Sequence, residues 1–276
     1  MKRKLWQSIL LYATVIVACA VVLFPVYWMV VTSLQPPGSL RAYPPHFLPP
    51  DPQWQTYIRL FIETDILRWM ANSAIVAVTA TGISMVAAVL AGYSLSRYQT
   101  KSSENVGLFI LMSKMLPATM LIIPLFGIMR SLGLMGSLWS LIFAHATAIV
   151  PFATWMLKGY FDSIPNELEQ AAQVDGCTPW GALFRVILPV AAPGLAATSL
   201  YGFVLSWADY LFARTFLANN ADSWTVNLGI ATFKGEYQTD WNLVMAASLL
   251  AALPIMIAYL FLQRFLVGGM TAGAGK

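Results

Sequence analysis

The sequence predicts an all-α membrane protein with six transmembrane helices. Its 276 residues are 58% hydrophobic and only 10% charged, whereas soluble domains carry about 25% charged residues. Five long stretches contain no Asp, Glu, Lys or Arg, and each exceeds the roughly 20 residues that a spanning helix needs. A sixth stretch, from Val106 to Met129, is interrupted only by Lys114. These stretches indicate a multi-pass protein without a soluble domain.

Each predicted span follows from one of these stretches. The first is too long and continuous an apolar run to be a cleaved signal peptide. The second and the fourth lie between basic residues, the third contains Lys114, the fifth follows Pro189 and the sixth follows Asp240. The chain is therefore predicted to be one transmembrane domain, residues 1–276. The predicted spans are 9–33, 70–95, 105–129, 138–160, 190–215 and 242–263.

The basic residues predict the orientation of the chain. An even number of spans places both termini on one side. If that side is the cytosol, it holds nine Lys and Arg residues against six on the outer side. An excess of Lys and Arg is typical of cytoplasmic segments. We therefore expect both termini, and the loop 163–189, to be cytosolic.

The loop 163–189 is a polar stretch between two long apolar runs and is predicted to form two short helices. Pro165 suits the first turn of a helix, and Glu167 and Glu169 lie near the helix N-terminus, where negative charge is favourable. Gly176 provides the turn, because glycine adopts left-handed backbone conformations at low cost. Thr178 and Pro179 then start the second helix. A helix pair between membrane spans is suited to contact with another protein.

This loop resembles the EAA loop of ABC-importer permeases. The family pattern is Glu-Ala-Ala, three residues, Gly, nine residues, then Ile-x-Leu-Pro. Here it reads Gln170-Ala171-Ala172, then Gly176, then Val186-Ile187-Leu188-Pro189, so Gln and Val replace the usual Glu and Ile. Other short matches in the same order extend the resemblance to the carbohydrate, or maltose-type, branch. They are Met115-Leu116-Pro117, Ile123-Pro124-Leu125-Phe126, Leu132-Gly133-Leu134 and Trp207-Ala208-Asp209-Tyr210-Leu211.

The resemblance implies a function and a set of partners. It implies the type I ABC importer permease architecture in the bacterial inner membrane. The implied partners are a second, homologous permease, a dimer of ABC ATPases that hold ATP and Mg, and an extracytoplasmic solute-binding protein that delivers a sugar. This chain would bind no cofactor, no metal and no nucleic acid. The residues implied in coupling to the ATPase are Leu168, Glu169, Gln170, Ala171, Ala172, Asp175, Gly176 and Pro189, with Leu168, Ala171 and Ala172 as the expected apolar anchors.

Ionisable and aromatic residues inside the spans are candidates for a translocation path. Charged groups in a membrane are costly, so Lys114 and Asp209 are functional candidates. Each also has a structural interpretation: Lys114 as a paired or snorkelling lysine, and Asp209 as a helix-end carboxylate. His145 is expected to be a hydrogen-bonded packing residue. Sugars stack on aromatic faces, which adds Tyr201, Trp207 and Tyr210 to the candidates, although aromatic belts at the membrane interfaces explain many such residues.

Missing motifs exclude several classes of protein. The chain has no G-x-x-x-x-G-K-[ST] segment for holding nucleotide and no G-x-S-x-G or H-E-x-x-H segment. Together with the resemblance, which implies a permease, the missing motifs predict that the chain is not an enzyme. Two alternatives stay open from the residues alone, a secondary transporter and an intramembrane enzyme. The sequence does not name the solute.

Overall fold

The computed structural model describes residues 5–40, 42–235 and 238–273. Apart from one isolated β-bridge between Lys234 and Thr239, the regular structure in these ranges is helical, so the predicted all-α class is confirmed. The basic residues Lys2, Arg3, Lys4, Arg41 and Lys276, which contribute to the predicted orientation, lie outside the described residues.

The described chain forms thirteen α-helices joined by turns. A π-helical turn covers Leu183–Ile187, and two 3-10 turns cover Pro37–Ser39 and Ala221–Ser223. The helices are α1 (Leu5–Leu34), α2 (Gln55–Ile62), α3 (Ile66–Arg97), α4 (Lys101–Ser113), α5 (Ala118–Ser131), α6 (Leu138–Asp162), α7 (Asn166–Val174), α8 (Pro179–Ala182), α9 (Leu188–Val190), α10 (Ala192–Trp207), α11 (Leu211–Leu217), α12 (Val226–Ala231) and α13 (Trp241–Gly273).

Four of the described helices are long and apolar enough to cross a membrane by themselves. They are α1, α3, α6 and α13. Two further pairs, α4 with α5 and the segment Pro179–Val190 with α10, meet the same criterion only as bent pairs. The described residues therefore contain four spans, or up to six if each bent pair counts as one. The exact span limits stay a prediction.

The predicted third span, 105–129, is not one straight helix. α4 ends at Ser113 and α5 begins at Ala118, with a bend of 98° between them. Pro117 causes the break, because it has no N–H for the helical ladder and disfavours helical backbone at the preceding residue. Lys114 consequently lies at the bend and not in the middle of a helix.

The predicted fifth span, 190–215, is also interrupted. The chain bends by 78° before α10, and α10 ends at Trp207, four residues before α11 begins at Leu211. The carboxylate of Asp209 accepts hydrogen bonds from the backbone N–H groups of Phe212 and Ala213, at 3.2 and 3.0 Å. This capping supplies partners for N–H groups that a helix start leaves unpaired, which stabilises a new helix there.

The described chain divides into two compact units. The smaller unit comprises residues 1–67 and 229–253. Within it, the amide nitrogen of Asn242 donates to the carbonyls of Thr32 and Gln35, at 3.0 and 2.7 Å, and the guanidinium of Arg59 lies 3.4 Å from the Asp240 carboxylate. These bonds join the end of α1 and helix α2 to the start of α13.

The larger unit comprises residues 68–228 and 254–276 and contains a continuous apolar core. α6 contributes fully buried residues along its length, including Leu141, Ile149, Leu157 and Phe161. α3 packs closely on α6, since a Cβ built at Gly92 would lie 3.0 Å from the Thr154 carbonyl oxygen. α6 is thereby held at the centre of this unit.

Candidate functional site

The loop 163–189 forms a helix, a tight turn and a second helix. At the turn, Gly176 has a φ of +91°, a conformation that residues with a Cβ adopt only at a cost. Its N–H donates to the Gln173 carbonyl at 3.0 Å, and the N–H of Cys177 donates to the Ala172 carbonyl at 2.9 Å. The turn therefore satisfies the last carbonyls of α7 and fixes its C-terminal end.

The second half of the loop leads into the membrane helix α10. The hydroxyl of Thr178 accepts the N–H of Gly181 at 3.1 Å, as the sequence predicts for an N-cap. The π-helical turn Leu183–Ile187 follows α8, and Pro189 lies in α9 just before the 78° bend. The loop is thus continuous with α10, so a movement of the loop reaches that helix directly.

Most of the predicted docking residues are exposed, and the exceptions are Ala172 and Glu169. Ala172 is buried, with 7% of its surface exposed, because it faces its own chain. A partner cannot reach Ala172 in this structure, so this residue does not fit the expected role of an apolar anchor. Val174, which the prediction did not include, is 87% exposed at the end of α7. The exposed residues of the predicted set on this loop are Leu168, Gln170, Ala171, Asp175, Gly176 and Pro189.

An aromatic pair next to the turn was missed by the sequence reasoning. Trp180 and Phe184 stack with their ring centroids 6.3 Å apart, and they are 62% and 58% exposed. Their spacing of four residues places them on one face of a helix. That spacing beside Gly176 was a signal in the sequence for an apolar surface patch.

Glu169 faces the interior and not the exposed side of α7. One carboxylate oxygen accepts the Nε–H of Arg97 at 2.9 Å, and the other accepts the hydroxyl of Tyr93. The side chains of Arg97 and Glu169 are only 10% and 13% exposed. Sequence reasoning grouped Glu169 with the docking residues and used Arg97 only for orientation, because nothing local in the sequence pairs them.

A cavity of about 410 Å³ lies in the larger unit beside the break between α4 and α5. The Nζ of Lys114 lies 5.8 Å from the centroid of the Phe152 ring and 6.0 Å from that of Tyr201. Its side chain forms no hydrogen bond or ion pair with any residue in the described ranges. The amine is therefore available to a ligand in the cavity. The lining includes Lys114, His145, Thr147, Pro151, Leu205 and Asp209.

His145 and Asp209 form a buried polar group at the wall of this cavity. The Nδ1 of His145 lies 2.7 Å from the Ser206 hydroxyl, and its Nε2 lies 3.4 Å from the carboxylate of Asp209. The Nε2 atom forms no hydrogen bond with the carboxylate, although the two groups lie side by side. His145 is thus a buried, hydrogen-bonded residue, and Asp209 combines a helix-capping role with a place at the cavity.

The sequence profile of the family described as "Binding-protein-dependent transport system inner membrane component" matches residues 83–271, which is more than half of the chain. The chain belongs to this family. It is a multi-pass permease of a binding-protein-dependent importer, and in such systems ATP hydrolysis belongs to a separate ATPase subunit.

Relatives match the permease over nearly its whole length. The sulfoquinovosyl glycerol transport system permease protein SmoH of Agrobacterium fabrum is 35% identical, over 92% of this chain and 89% of its own. The diacetylchitobiose uptake system permease protein DasC of Streptomyces coelicolor is 34% identical over the full length of both chains. A bacterial ABC transporter that imports alginate shares the fold, with a TM-score of 0.75, 22% identity and coverage of 96% of this chain and 99% of its own.

The permease brings together only part of the predicted translocation path. Lys114 and Asp209 line the cavity, and Tyr201 contacts the Lys114 amine. Trp207 is buried with 3% exposure and stacks on Phe203, with ring centroids 5.5 Å apart. Tyr210 is 43% exposed and does not line the cavity. Two of the five predicted residues therefore line the cavity, Tyr201 contacts one of them, and Trp207 and Tyr210 lie elsewhere.

Proposed function

We propose that the permease imports a sugar or sugar-like solute, as one of two homologous permease subunits bound to a dimer of ABC ATPases. The main observation that supports this proposal is the exposed helix–turn–helix loop 163–189 between membrane helices α6 and α10. The solute class is supported by the two relatives at 34–35% identity, whose names specify sulfoquinovosyl glycerol and diacetylchitobiose. ATP and Mg bind to the ATPase partner, and a separate binding protein delivers the solute.

The ATPase contact in this proposal is the exposed surface of the loop. Leu168, Ala171 and Val174 are spaced three residues apart on α7 and are exposed, which is the spacing of anchors that lie in a groove of a partner. Trp180 and Phe184 extend this apolar surface beyond the turn. Ala172, which is buried, takes no part in the contact.

The orientation of the chain follows from this contact. ATP is cytosolic, so a loop that binds the ATPase must face the cytosol. With six spans, both termini then lie in the cytosol as well, in agreement with the excess of Lys and Arg on that side. The segments 35–69 and 219–241 then face the opposite side, where they are positioned to contact the binding protein.

The experiment that tests this function is purification of the tagged permease in mild detergent after photo-crosslinking. A crosslinking residue in place of Val174 is expected to capture an ATPase with a P-loop, and a second, similar permease is expected to co-purify. The control is the same residue in place of Leu132, which is 62% exposed and directly follows the end of α5. Recovery of the chain alone, with transport activity in the absence of ATP, would instead identify a secondary transporter.

The cavity at Lys114 is proposed to be part of the translocation path. An amine without an ion pair in a membrane segment is costly, which marks a functional site. Lys114→Met removes a charged donor worth about 1.5–3 kcal/mol, so uptake by the assembled importer is expected to fall by about 10- to 150-fold. Lys114→Arg should keep most of the uptake, and Lys101→Met, at the exposed start of α4, serves as control. Unchanged uptake in Lys114→Met would exclude this path.

A further inference from the structure

We infer that Arg97 and Glu169 form a positioning pair that transmits movement of α7 to the membrane helices α3 and α6. We call it the Arg97–Glu169 link. This inference rests on the proposed function, in which an ATPase moves the loop 163–189. It assigns to Glu169 a role inside the permease, where an EAA-type loop would suggest a contact with the ATPase.

The guanidinium of Arg97 joins three elements. Arg97 is the last residue of α3, and its Nε donates to Glu169 on α7 at 2.9 Å. Its two other nitrogens donate to the carbonyls of Phe161 and Ile164, at 3.1 and 3.2 Å. These carbonyls lie at and just after the end of α6, and the Phe161 carbonyl also accepts the N–H of Ile164 at 3.1 Å. One planar side chain therefore holds the ends of α3 and α6 and the side of α7.

Tyr93 is a second residue of α3 that binds the Glu169 carboxylate. It lies one helical turn before Arg97 on α3, so that both side chains project from the same face. Its hydroxyl donates to the second carboxylate oxygen of Glu169, and its ring packs edge-on against Phe161, with centroids 6.0 Å apart. Both oxygens of the carboxylate are thus held from α3, which fixes α7 in rotation as well as in distance.

Helices α3 and α6, which the link joins to α7, pack directly against each other. A Cβ built at Gly92 would lie 3.0 Å from the Thr154 carbonyl oxygen and 3.1 Å from the Lys158 nitrogen. The backbones of α3 and α6 therefore touch one turn from the link, without flexible side chains between them. Close-packed elements transmit displacements instead of absorbing them, so a displacement of α7 reaches both helices.

The neighbouring residues of α7 show that the link is specific to one position. Glu167 and Gln170 are exposed and form no side-chain hydrogen bond or ion pair within the described ranges. Glu167 has the same charge as Glu169, lies two residues away and faces a different direction. Glu167→Gln is therefore a matched control for Glu169→Gln.

The test measures whether nucleotide still changes the transport cavity when the link is broken. The native cysteines are replaced in a Cys19→Ser, Cys177→Ser background, and Thr147→Cys places a thiol at the cavity lining. The full importer is reconstituted with its ATPase, and N-ethylmaleimide labelling is measured without nucleotide and with ATP and vanadate. Co-purification of the ATPase and its rate of ATP hydrolysis are measured on the same samples.

With the link intact, ATP and vanadate are expected to change the labelling rate by about tenfold, a typical size for coupling between sites. Glu169→Gln should abolish this change, while the ATPase stays bound and still hydrolyses ATP. Arg97→Lys keeps the positive charge but loses the planar guanidinium with its several donors, so it should retain only part of the response. Tyr93→Phe keeps the ring packing and loses only the hydroxyl, so it should also retain part of the response. It is the variant to measure if Glu169→Gln fails to fold.

Two results would overturn the inference. A normal nucleotide response in Glu169→Gln would show that the link transmits nothing, and loss of the ATPase in Glu169→Gln but not in Glu167→Gln would make Glu169 a docking contact. Failure of the proposed function gives a different result, because the parent assembly itself would then contain no ATPase.

Discussion

Replacing Gly176 with proline is expected to abolish solute uptake while the permease still inserts into the membrane. The backbone at Gly176 has a φ of +91°, whereas the proline ring fixes φ near about −65°. Proline also removes the N–H that donates to Gln173 at 3.0 Å. The turn between α7 and α8 cannot form, and the docking surface loses its shape. Uptake by the reconstituted importer and the amount of protein in the membrane fraction are the two measurements.

A graded series separates this effect from general damage. Gly176→Ala should lose part of the uptake, because a left-handed conformation costs an ordinary residue about 1–2 kcal/mol. Gly159→Ala is the control, since Gly159 lies within α6 with open space at the position of a Cβ. Normal uptake in Gly176→Pro would contradict the assignment of this loop to ATPase coupling.

Gly194→Ala is expected to destabilise the permease through the contact between α6 and α10. A Cβ at Gly194 would lie 2.3 Å from the Cγ of Tyr160 and 2.5 and 2.7 Å from its two Cδ atoms. These atoms belong to the base of the ring, so the side chain cannot move aside without a shift of the helix. Overpacking of this kind costs about 1–3 kcal/mol. In a detergent melting experiment, each kcal/mol corresponds to a lowering of Tm by about 2–4 °C.

The same contact provides a rescue experiment. Tyr160→Leu removes the ring that meets the new methyl group, so Gly194→Ala combined with Tyr160→Leu should be more stable than the sum of the two single changes predicts. Gly127→Ala is the control, because the space around Gly127 on α5 is open. A Tm for Gly194→Ala equal to that of the parent would show that α10 can shift away from α6 without cost.

Much of the fold could be predicted from the sequence because its causes are local. The long stretches without charge define membrane helices by length and composition. The pattern of Pro165, Gly176 and Thr178 defines the two short helices of the loop, because each residue acts on its own backbone. Lys114 and Asp209 stand out in the sequence as charged groups in apolar stretches, and both line the cavity.

The features that the sequence did not predict come from effects that act across the fold. Pro117 is the local cause of the break between α4 and α5. The apolar run on both sides of it nevertheless predicted one continuous span. The buried position of Ala172 and the exposed position of Val174 depend on where the rest of the chain packs against α7. Trp207 was a candidate for the path, yet it is buried, because the side of α10 that carries it packs against the rest of the protein.

The sequence by itself determined the all-α membrane fold, the helical loop with its glycine turn and the family resemblance, since each follows from composition or from short spacings. The tertiary structure alone decided that Glu169 points inward while Gln170 points outward. The partner of Glu169 is Arg97, 72 residues away in the chain, and only the packing of α3 against α6 brings the two together. A charge becomes buried and paired through contacts distant in sequence, and no local pattern encodes them.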